Sequence, residues 1–374
     1  MDNKRRSWAE IDLGAIEHNL TAIRSCLTPQ TRVMAVIKAN AYGHGVMEVA
    51  RLGVKLGADF LGVATLEEAM PLVEVGITLP ILVLGYVPRE CAEQVIKNKI
   101  RTVVYETDYA RALSQAAQRL SAEAVVHIKV DTGMGRLGFA DNAEGLQSVI
   151  EVAALPGINV EGLMTHFAEA DSPVEEFTRL QIERFRCFAA DLELRGLYIP
   201  LKHCANDAAI VCFPEAHFDM VRTGIMMYGL YPSDSMKGLN LDIIPAMTLK
   251  SRISFIKTMA QGESVSYGRT YRCPEDTCVA TVPIGYGDGY SRLLSNRAYA
   301  IIKGIKAPLI GTVCMDQCMF ALPEKADLQV GDEVILFGKP EEGITADDLA
   351  QMIGTINYEI VTTITARVPR SYQP

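Results

Sequence analysis

Between about residue 32 and residue 224, short apolar runs alternate with amphipathic stretches of helical period. The runs are continuous, which is typical of strands buried on both faces of a parallel sheet. Eight such repeats predict an α/β fold, an N-terminal (β/α)8 barrel of the TIM type, although periodicity alone leaves a doubly wound sheet open. The predicted strands are Arg32–Ile37, Asp59–Ala64, Ile81–Gly85, Thr102–Tyr105, Ala124–Val130, Asn159–Thr165, Leu201–Cys204 and Phe218–Arg222. Predicted helices include Leu66–Val75, Pro88–Lys97, Asp108–Leu120 and Pro173–Leu194.

After about residue 240 the pattern changes to short strand-like segments separated by turns. It predicts a β-rich C-terminal domain with one helix over Thr345–Ile353, and Trp8–Asp12 reads as an additional strand before the barrel. The expected domains are therefore residues 9–240 for the barrel, and residues 1–8 with 241–374 for the β-rich domain. Its predicted strands are Met247–Lys257, Cys278–Pro283, Ala298–Gly304, Pro308–Met315 and Glu333–Phe337.

Composition narrows the classes of function. The chain has 374 residues and a formal net charge of -9, which argues against a nucleic-acid partner. It has no apolar run of about 18 residues for a membrane span and no apolar core of a signal peptide, so we expect a cytoplasmic protein with no membrane partner. The nine cysteines lie scattered in apolar segments, as expected for reduced thiols.

Two motif-like patterns are discounted. The run Gly133–Gly138 fits G-x-G-x-x-G, but two residues separate it from the preceding strand and a polar turn follows it, so it does not indicate a dinucleotide site. Cysteines 273, 278, 314 and 318 have wide spacings and no histidine nearby, so we expect no metal.

Polar residues cluster where the predicted barrel strands end, which is where such barrels carry chemistry. Lys38 follows the first strand, Arg136 the fifth, Asn206 and Asp207 the seventh, while His166 and Arg222 end the sixth and eighth. Each alone is more often a rim or core residue. Together they predict a cationic mouth that binds an anionic ligand.

Several of these segments resemble the alanine racemases, which are fold-type III pyridoxal phosphate enzymes. The resemblance is strongest at Ala35–Gly45, Ala-Val-Ile-Lys-Ala-Asn-Ala-Tyr-Gly-His-Gly, and extends in order along nearly the whole chain. The other matching segments are Asp131–Gly138, Met164–Phe167, His203–Asn206, Arg222–Ile225, Val265–Arg269, Pro283–Tyr290, Gly311–Asp316 and Asn357–Glu359.

The resemblance implies pyridoxal 5'-phosphate bound to Lys38 as a Schiff base. Lys38 would be one acid/base group, and Tyr267 of the partner subunit in a homodimer would be the other. Two such groups on opposite faces allow a proton to leave one face of Cα and return on the other. A phenol near neutral pH needs cationic neighbours, and His166 is expected to supply that charge.

The resemblance also implies how the cofactor is held. Arg222 would face the pyridine nitrogen and, because it does not readily give up a proton, keep that nitrogen unprotonated. The phosphate would be held by Tyr42, Gly224, Ile225 and Tyr358, with Asn206 and Asp207 in the same cofactor-binding group.

A further set of residues is implied for the substrate. Arg136 would bind its carboxylate, and Met315 and Asp316 of the partner would line the same pocket. Lys129 matches an often carbamylated lysine that orients this arginine, and Tyr286 matches a tyrosine that gates the substrate channel.

One position departs from the family. Relatives usually have a serine after His-x-Ala-Asn, where this chain has Asp207. A carboxylate repels a phosphate dianion, so Asp207 must point away, be neutral, or leave the phosphate placed differently. We therefore predict weaker cofactor retention than a serine would give.

The predicted function is racemisation of L- and D-alanine, supplying D-alanine for peptidoglycan. The alternative is a serine or broader-specificity racemase of the same mechanism, although a phenol at Tyr358 favours a small side chain. A decarboxylase would be expected to place an acidic residue at the position of Arg222. A non-catalytic cofactor carrier would not need Tyr267.

Overall fold

The larger part of the molecule is a nearly closed parallel barrel. A computed structural model describes residues 5–239, 241–323 and 327–374. Eight strands follow one another in chain order, and the last pairs with the first. Backbone N–H groups of Asp219 and Arg222 donate to the carbonyls of Lys202 and Ala205, which joins the seventh and eighth strands. The strands are Arg32–Val36, Phe60–Val63, Ile81–Val83, Arg101–Val104, Ala124–Asp131, Ile158–Met164, Leu201–His203 and Met220–Thr223.

All eight predicted barrel strands are confirmed to within a few residues, and the doubly wound alternative is wrong. Most strand residues are apolar because the interior packs on one face and the helices on the other, although a few buried polar residues, among them His127, Lys129 and Arg222, lie on these strands. The helices of this part are Leu13–Ser25, Val46–Lys55, Leu66–Glu74, Ala92–Lys97, Thr107–Leu120, Ala143–Ala153, Glu176–Leu194 and Asp207–Cys212, with a short helical turn at Lys38–Tyr42.

Two predicted helices begin later than expected. The one predicted from Pro88 has a 3-10 turn at Arg89–Cys91 and becomes α-helical at Ala92. The other starts at Glu176 instead of Pro173. The Ser172 hydroxyl accepts the Val174 backbone N–H at 3.1 Å, and this local bond holds the preceding segment as a turn.

The β-rich domain contains a six-stranded sheet into which the N-terminus is inserted. The strand Ser7–Asp12 pairs antiparallel with Met247–Arg252 and parallel with Arg370–Gln373. The expected division between residues 8 and 9 falls inside this strand, whose ladder partners all lie in the C-terminal sheet. Other strands of the domain are Phe255–Met259, Ser264–Val265, Tyr271–Arg272, Thr277–Val282, Tyr299–Ile302, Ile305–Pro308, Cys318–Leu322 and Glu333–Phe337.

Two strand predictions in this domain are wrong. The segment Met247–Lys257 forms two strands in different sheets, separated at residues 253–254. The segment Pro308–Met315 leaves the ladder at Pro308 because Gly311 has φ 76° and its N–H donates to the Asn296 side chain at 2.6 Å. Left-handed backbone of this kind does not continue a strand.

In the described part of this domain, the α-helices are Ala346–Ile353 and Asn357–Thr362. The first confirms its prediction, with the Thr345 hydroxyl accepting the Asp348 N–H and the Asp348 carboxylate accepting the Thr345 N–H. Within the described ranges, the helices are too short or too polar to cross a membrane.

Candidate active site

The carboxyl ends of the barrel strands open into a cavity of about 560 Å³. Polar groups from five strand ends converge there, as expected for a barrel of this type. Predicted residues that line it are Lys38, Tyr42, Lys129, Arg136, His166, Asn206, Asp207, Arg222, Gly224 and Tyr358. Ile225 follows Gly224 directly and is buried.

Four cations line this cavity: Lys38, Lys129, Arg136 and Arg222. Among the residues that the structure describes, none of them has a carboxylate within ion-pair distance. Burial, and then the charge of Arg136 ahead of that of Arg222, lower the pKa of Lys38 and take that of Lys129 to about 8. Lys129 and Arg222 are buried, and buried cations without an ion-pair partner favour an anionic ligand.

Lys38 begins a turn of left-handed helix. Residues 39–42 all have φ between 51° and 54° although none is glycine. Such backbone costs roughly 1–2 kcal/mol per residue, so the surrounding structure must hold it in place. The Glu68 carboxylate accepts the Ala39 N–H at 2.7 Å, and the carbonyl of Asn40 accepts the N–H of Gly45 at 2.9 Å.

The β-rich domain packs directly against this turn. Gly43 and Gly45 have φ of 84° and 101°, and a Cβ at either would collide with the Val361 carbonyl or the Tyr372 hydroxyl respectively. Only glycine permits both the backbone conformation and the close approach. His44 between them is fully buried, and its ring stacks on Tyr228 with centroids 4.5 Å apart.

Arg222 is the end of a hydrogen-bond chain through the barrel interior. Its Nη1 donates to His203 Nδ1 at 2.9 Å, His203 Nε2 lies 2.8 Å from His127 Nδ1, and His127 Nε2 lies 3.0 Å from Glu161 Oε2. Because a guanidinium only donates, each imidazole accepts on Nδ1 and donates from Nε2. Burial raises the pKa of Glu161, but the hydrogen bonds from His127 and Arg101 outweigh it and leave that pKa at about 2.

The structure corrects the expected charge of His166. Its Nδ1 lies 3.1 Å from Arg222 Nη2 and must accept that bond. Burial and the neighbouring cations, Arg222 first, hold the pKa of His166 well below its usual value. The ring is therefore neutral, and its free Nε2–H can donate a hydrogen bond but carries no positive charge.

Comparisons with known proteins agree with this geometry. Residues 11–232 match the family model of the alanine racemase N-terminal domain, and residues 246–372 match that of the C-terminal domain. The chain is 48% identical over 371 residues to an alanine racemase of Clostridium perfringens, covering 99% of this chain and 96% of that protein. The chain belongs to the alanine racemase family. It is thus an enzyme of the isomerase class, a racemase.

Solved structures of racemases have the same architecture. An alanine racemase from Clostridium difficile 630 superposes with a TM-score of 0.95 at 43% identity, covering 99% of this chain and 96% of that chain. A histidine racemase from Leuconostoc mesenteroides subsp. sake superposes with a TM-score of 0.90 at 30% identity, covering 99% of each chain. The fold is therefore shared by racemases named for different substrates.

The remaining predicted residues of this racemase lie elsewhere. Tyr267, Met315 and Asp316 line an open depression on the β-rich domain that shares no residue with the barrel-mouth cavity. Tyr267 is 71% exposed and Met315 52% exposed. Tyr286 lies beside this depression, since its N–H donates to the carbonyl of Cys314 at 3.1 Å. The predicted site residues of one chain therefore fall into two separate places.

Sequence reasoning missed several residues of the racemase cavity. Asp171 and Ile356 line it from loops, and Val36 and Leu84 provide apolar wall. His127 could have been predicted, because it lies two residues before Lys129 on the same strand. Both side chains therefore face the barrel interior. The loop residues had no comparable signal.

Proposed function

We propose that this racemase interconverts L- and D-alanine with pyridoxal phosphate bound at the barrel mouth. The observation that carries the proposal is the cationic cavity around Lys38, which has no counterion among the described residues. The domain division follows from it, with the barrel holding the cofactor and the β-rich domain completing the partner's site. A small amino acid is the substrate.

The residues present fit a phosphorylated, carbonyl-bearing cofactor. Lys38 has a lowered pKa, so a larger fraction of its amine is free to attack a carbonyl than in an ordinary lysine. The backbone N–H of Gly224 donates to the Asp207 carboxylate at 3.0 Å, and the N–H groups of Ile225 and Met226 also stabilise that carboxylate. This arrangement suits a phosphate group.

When bound, pyridoxal phosphate would supply a conjugated ring that withdraws electrons and acidifies Cα of an attached amino acid. Arg222, which five acceptors in the protein hold in place, would face the ring nitrogen and leave it unprotonated, because a guanidinium does not readily give up a proton. Arg136 would hold the substrate carboxylate, with Lys129 orienting it.

Proton transfer needs a second group opposite Lys38. Tyr267 is exposed on the β-rich domain, away from its own chain's cavity, so it would serve the cavity of a second copy. Met315 and Asp316 of that copy would line the same pocket, and Tyr286 would lie near its opening. His166 would donate its Nε2–H to the Tyr267 oxygen and stabilise the phenolate by a hydrogen bond.

Mixing two inactive variants tests the shared site. Lys38→Ala and Tyr267→Phe homodimers should each be inactive, and re-equilibrating them at equal concentration should leave about a quarter of the sites intact. Chiral chromatography of L-alanine incubations would measure the recovered activity. No recovery, with dimer exchange confirmed by a mass tag, would place both groups in one chain's site and refute the proposal.

Substrate choice is the second question. The similarity to a histidine racemase keeps a serine or broader-specificity racemase as the alternative. Incubation with L-alanine, L-serine and L-lysine, followed by chiral analysis, distinguishes them. D-Alanine as the dominant product would support a supply of D-alanine for peptidoglycan, and D-serine in excess would support the alternative.

A further inference from the structure

The carboxyl group of Asp207 lies in the part of the cavity that suits a phosphate. Its Oδ1 accepts the Thr223 hydroxyl at 2.8 Å, and both of its oxygens lie 3.0 Å from the Gly224 N–H. The N–H groups of Ile225 and Met226 also point to this carboxylate. Asp207 therefore does not point away from the backbone after the last strand, as one of the sequence-based alternatives required.

We call the N–H groups of residues 224–226 the backbone nest. Three successive N–H groups that converge in this way bind one anion. The Asp207 carboxylate already takes the Gly224 N–H, and a Cβ on Gly224 would lie 2.6 Å from the Tyr42 hydroxyl and 3.2 Å from Asp207 Oδ2. The carboxylate and a phosphate group therefore compete for the same donors.

The surroundings of Asp207 disfavour its charge. The side chain is 6% exposed, and in the described part of the chain no cation lies within ion-pair distance of it. The titratable groups that face it are the phenols of Tyr42, Tyr228 and Tyr358, whose own pKa values are raised by burial and then by its charge. Burial raises the pKa of Asp207 to about 6, although the hydrogen bonds oppose this shift.

We propose that the Asp207 carboxylate is an internal ligand of the backbone nest, and that a cofactor phosphate displaces it only as the side chain takes up a proton from solvent. This inference rests on the proposed use of pyridoxal phosphate. A protonated Asp207 has an O–H to donate to a phosphate oxygen, which an ionised one lacks. The residue would then act as the family serine does, but only in its acid form.

The consequence is a cofactor affinity that depends on pH. Above pH 6 the carboxylate is mostly ionised, so binding must protonate it and the affinity falls about tenfold per pH unit. At pH 8 the binding of phosphate-bearing cofactor should be about 100-fold weaker than in a chain whose residue 207 is neutral. Pyridoxal, which lacks the phosphate, should show no such difference.

Titration of the cofactor-free protein tests the inference. Dissociation constants for pyridoxal phosphate and for pyridoxal would be measured by absorbance from pH 6 to 8.5, in the wild type and in Asp207→Asn. The asparagine keeps the shape and one acceptor oxygen but does not ionise. Lys38 and the phosphate titrate equally in both proteins. The ratio of the wild-type dissociation constant to that of Asp207→Asn therefore reports the effect of residue 207 alone.

We expect the ratio for pyridoxal phosphate to rise from about twofold at pH 6 to about 100-fold at pH 8. Asp171→Asn is the matched control, because Asp171 lines the same cavity but has no bond to the nest, and its ratio should stay flat. A ratio that does not change with pH for Asp207→Asn would overturn the inference.

Calorimetry of the wild type and of Asp207→Asn gives a second measurement, which does not depend on absorbance. Binding at pH 8 in buffers of different ionisation enthalpy should show uptake of close to one proton more than in Asp207→Asn. Equal uptake would also overturn the inference while leaving the cofactor assignment intact. If no variant binds pyridoxal phosphate at any pH, the proposed function itself fails.

Discussion

Lys38 lies in a cation-lined cavity at the barrel mouth, whereas Tyr267 stands 71% exposed on the β-rich domain. The barrel side is built from strand ends, a buried hydrogen-bond chain and a strained turn. The other side is a shallow surface that includes Tyr267, Met315 and Asp316. Under the proposed function, the barrel would supply binding and electrostatics, while the β-rich domain would supply a proton-transfer group to the cavity of a second copy.

The largest loss of activity is expected when Lys38 is removed. Lys38→Ala should lower racemisation of alanine by on the order of 10³-fold or more and abolish the visible absorbance of bound cofactor, because both depend on its amine. Tyr267→Phe should lower activity by on the order of 10²- to 10⁴-fold but keep the absorbance. Spectra and chiral assays of both variants check this. Loss of absorbance in Tyr267→Phe would contradict the division of roles.

A smaller effect is expected at the substrate carboxylate. Arg136→Ala should raise the KM for alanine by roughly 10- to 100-fold, the usual effect of losing a charged hydrogen bond. Arg111→Ala is the control, since its 3.8 Å pair with Asp108 is exposed, lies outside the cavity lining and contributes little. Steady-state kinetics on both variants decide the question. Equal KM changes would argue against Arg136 as the carboxylate ligand.

The smallest of the expected effects is on the pH dependence of folding stability, through His44 beside the lysine turn. Burial holds the pKa of His44 at about 4, below its ordinary value of 6.5. As pH falls from 6.5 to 4 the unfolded state takes up the proton first, so stability decreases, by about 3 kcal/mol in all.

The matched variant is His44→Asn, which keeps a donor near the position of Nδ1 but does not titrate. Urea denaturation at pH 7, 5.5 and 4.5 should show a flatter stability profile for this variant than for the wild type. Parallel profiles would mean that His44 does not titrate as its burial implies.

The barrel was predictable because its strands are apolar on both faces and separated by turns. The β-rich domain was less so. Residues 308–315 contain the right apolar residues for a strand, but the backbone at Gly311 and the side chain of Asn296 end the ladder, and nothing local in the sequence indicates that distant bond. Likewise, the two parts of Met247–Lys257 belong to different sheets because of long-range pairing.

The candidate site shows the same limit. Strand-end position and family resemblance brought Lys38, Arg136 and Arg222 together correctly in one cavity. They did not indicate that His166 is neutral, because its charge depends on the direction of one hydrogen bond from Arg222. Nor did they indicate that Asp207 turns into the backbone nest, which depends on the burial of its surroundings.

The left-handed turn after Lys38 has a consequence for how this enzyme can be divided or recombined. The turn is held from outside by Val361 and Tyr372, where only glycine at positions 43 and 45 lets the two domains meet. A barrel expressed alone would lose those supports and should let the lysine loop relax toward ordinary right-handed backbone. A foreign β-rich domain should support the turn only if its two contact residues match Val361 and Tyr372, so the lysine loop and the C-terminal domain form one structural unit.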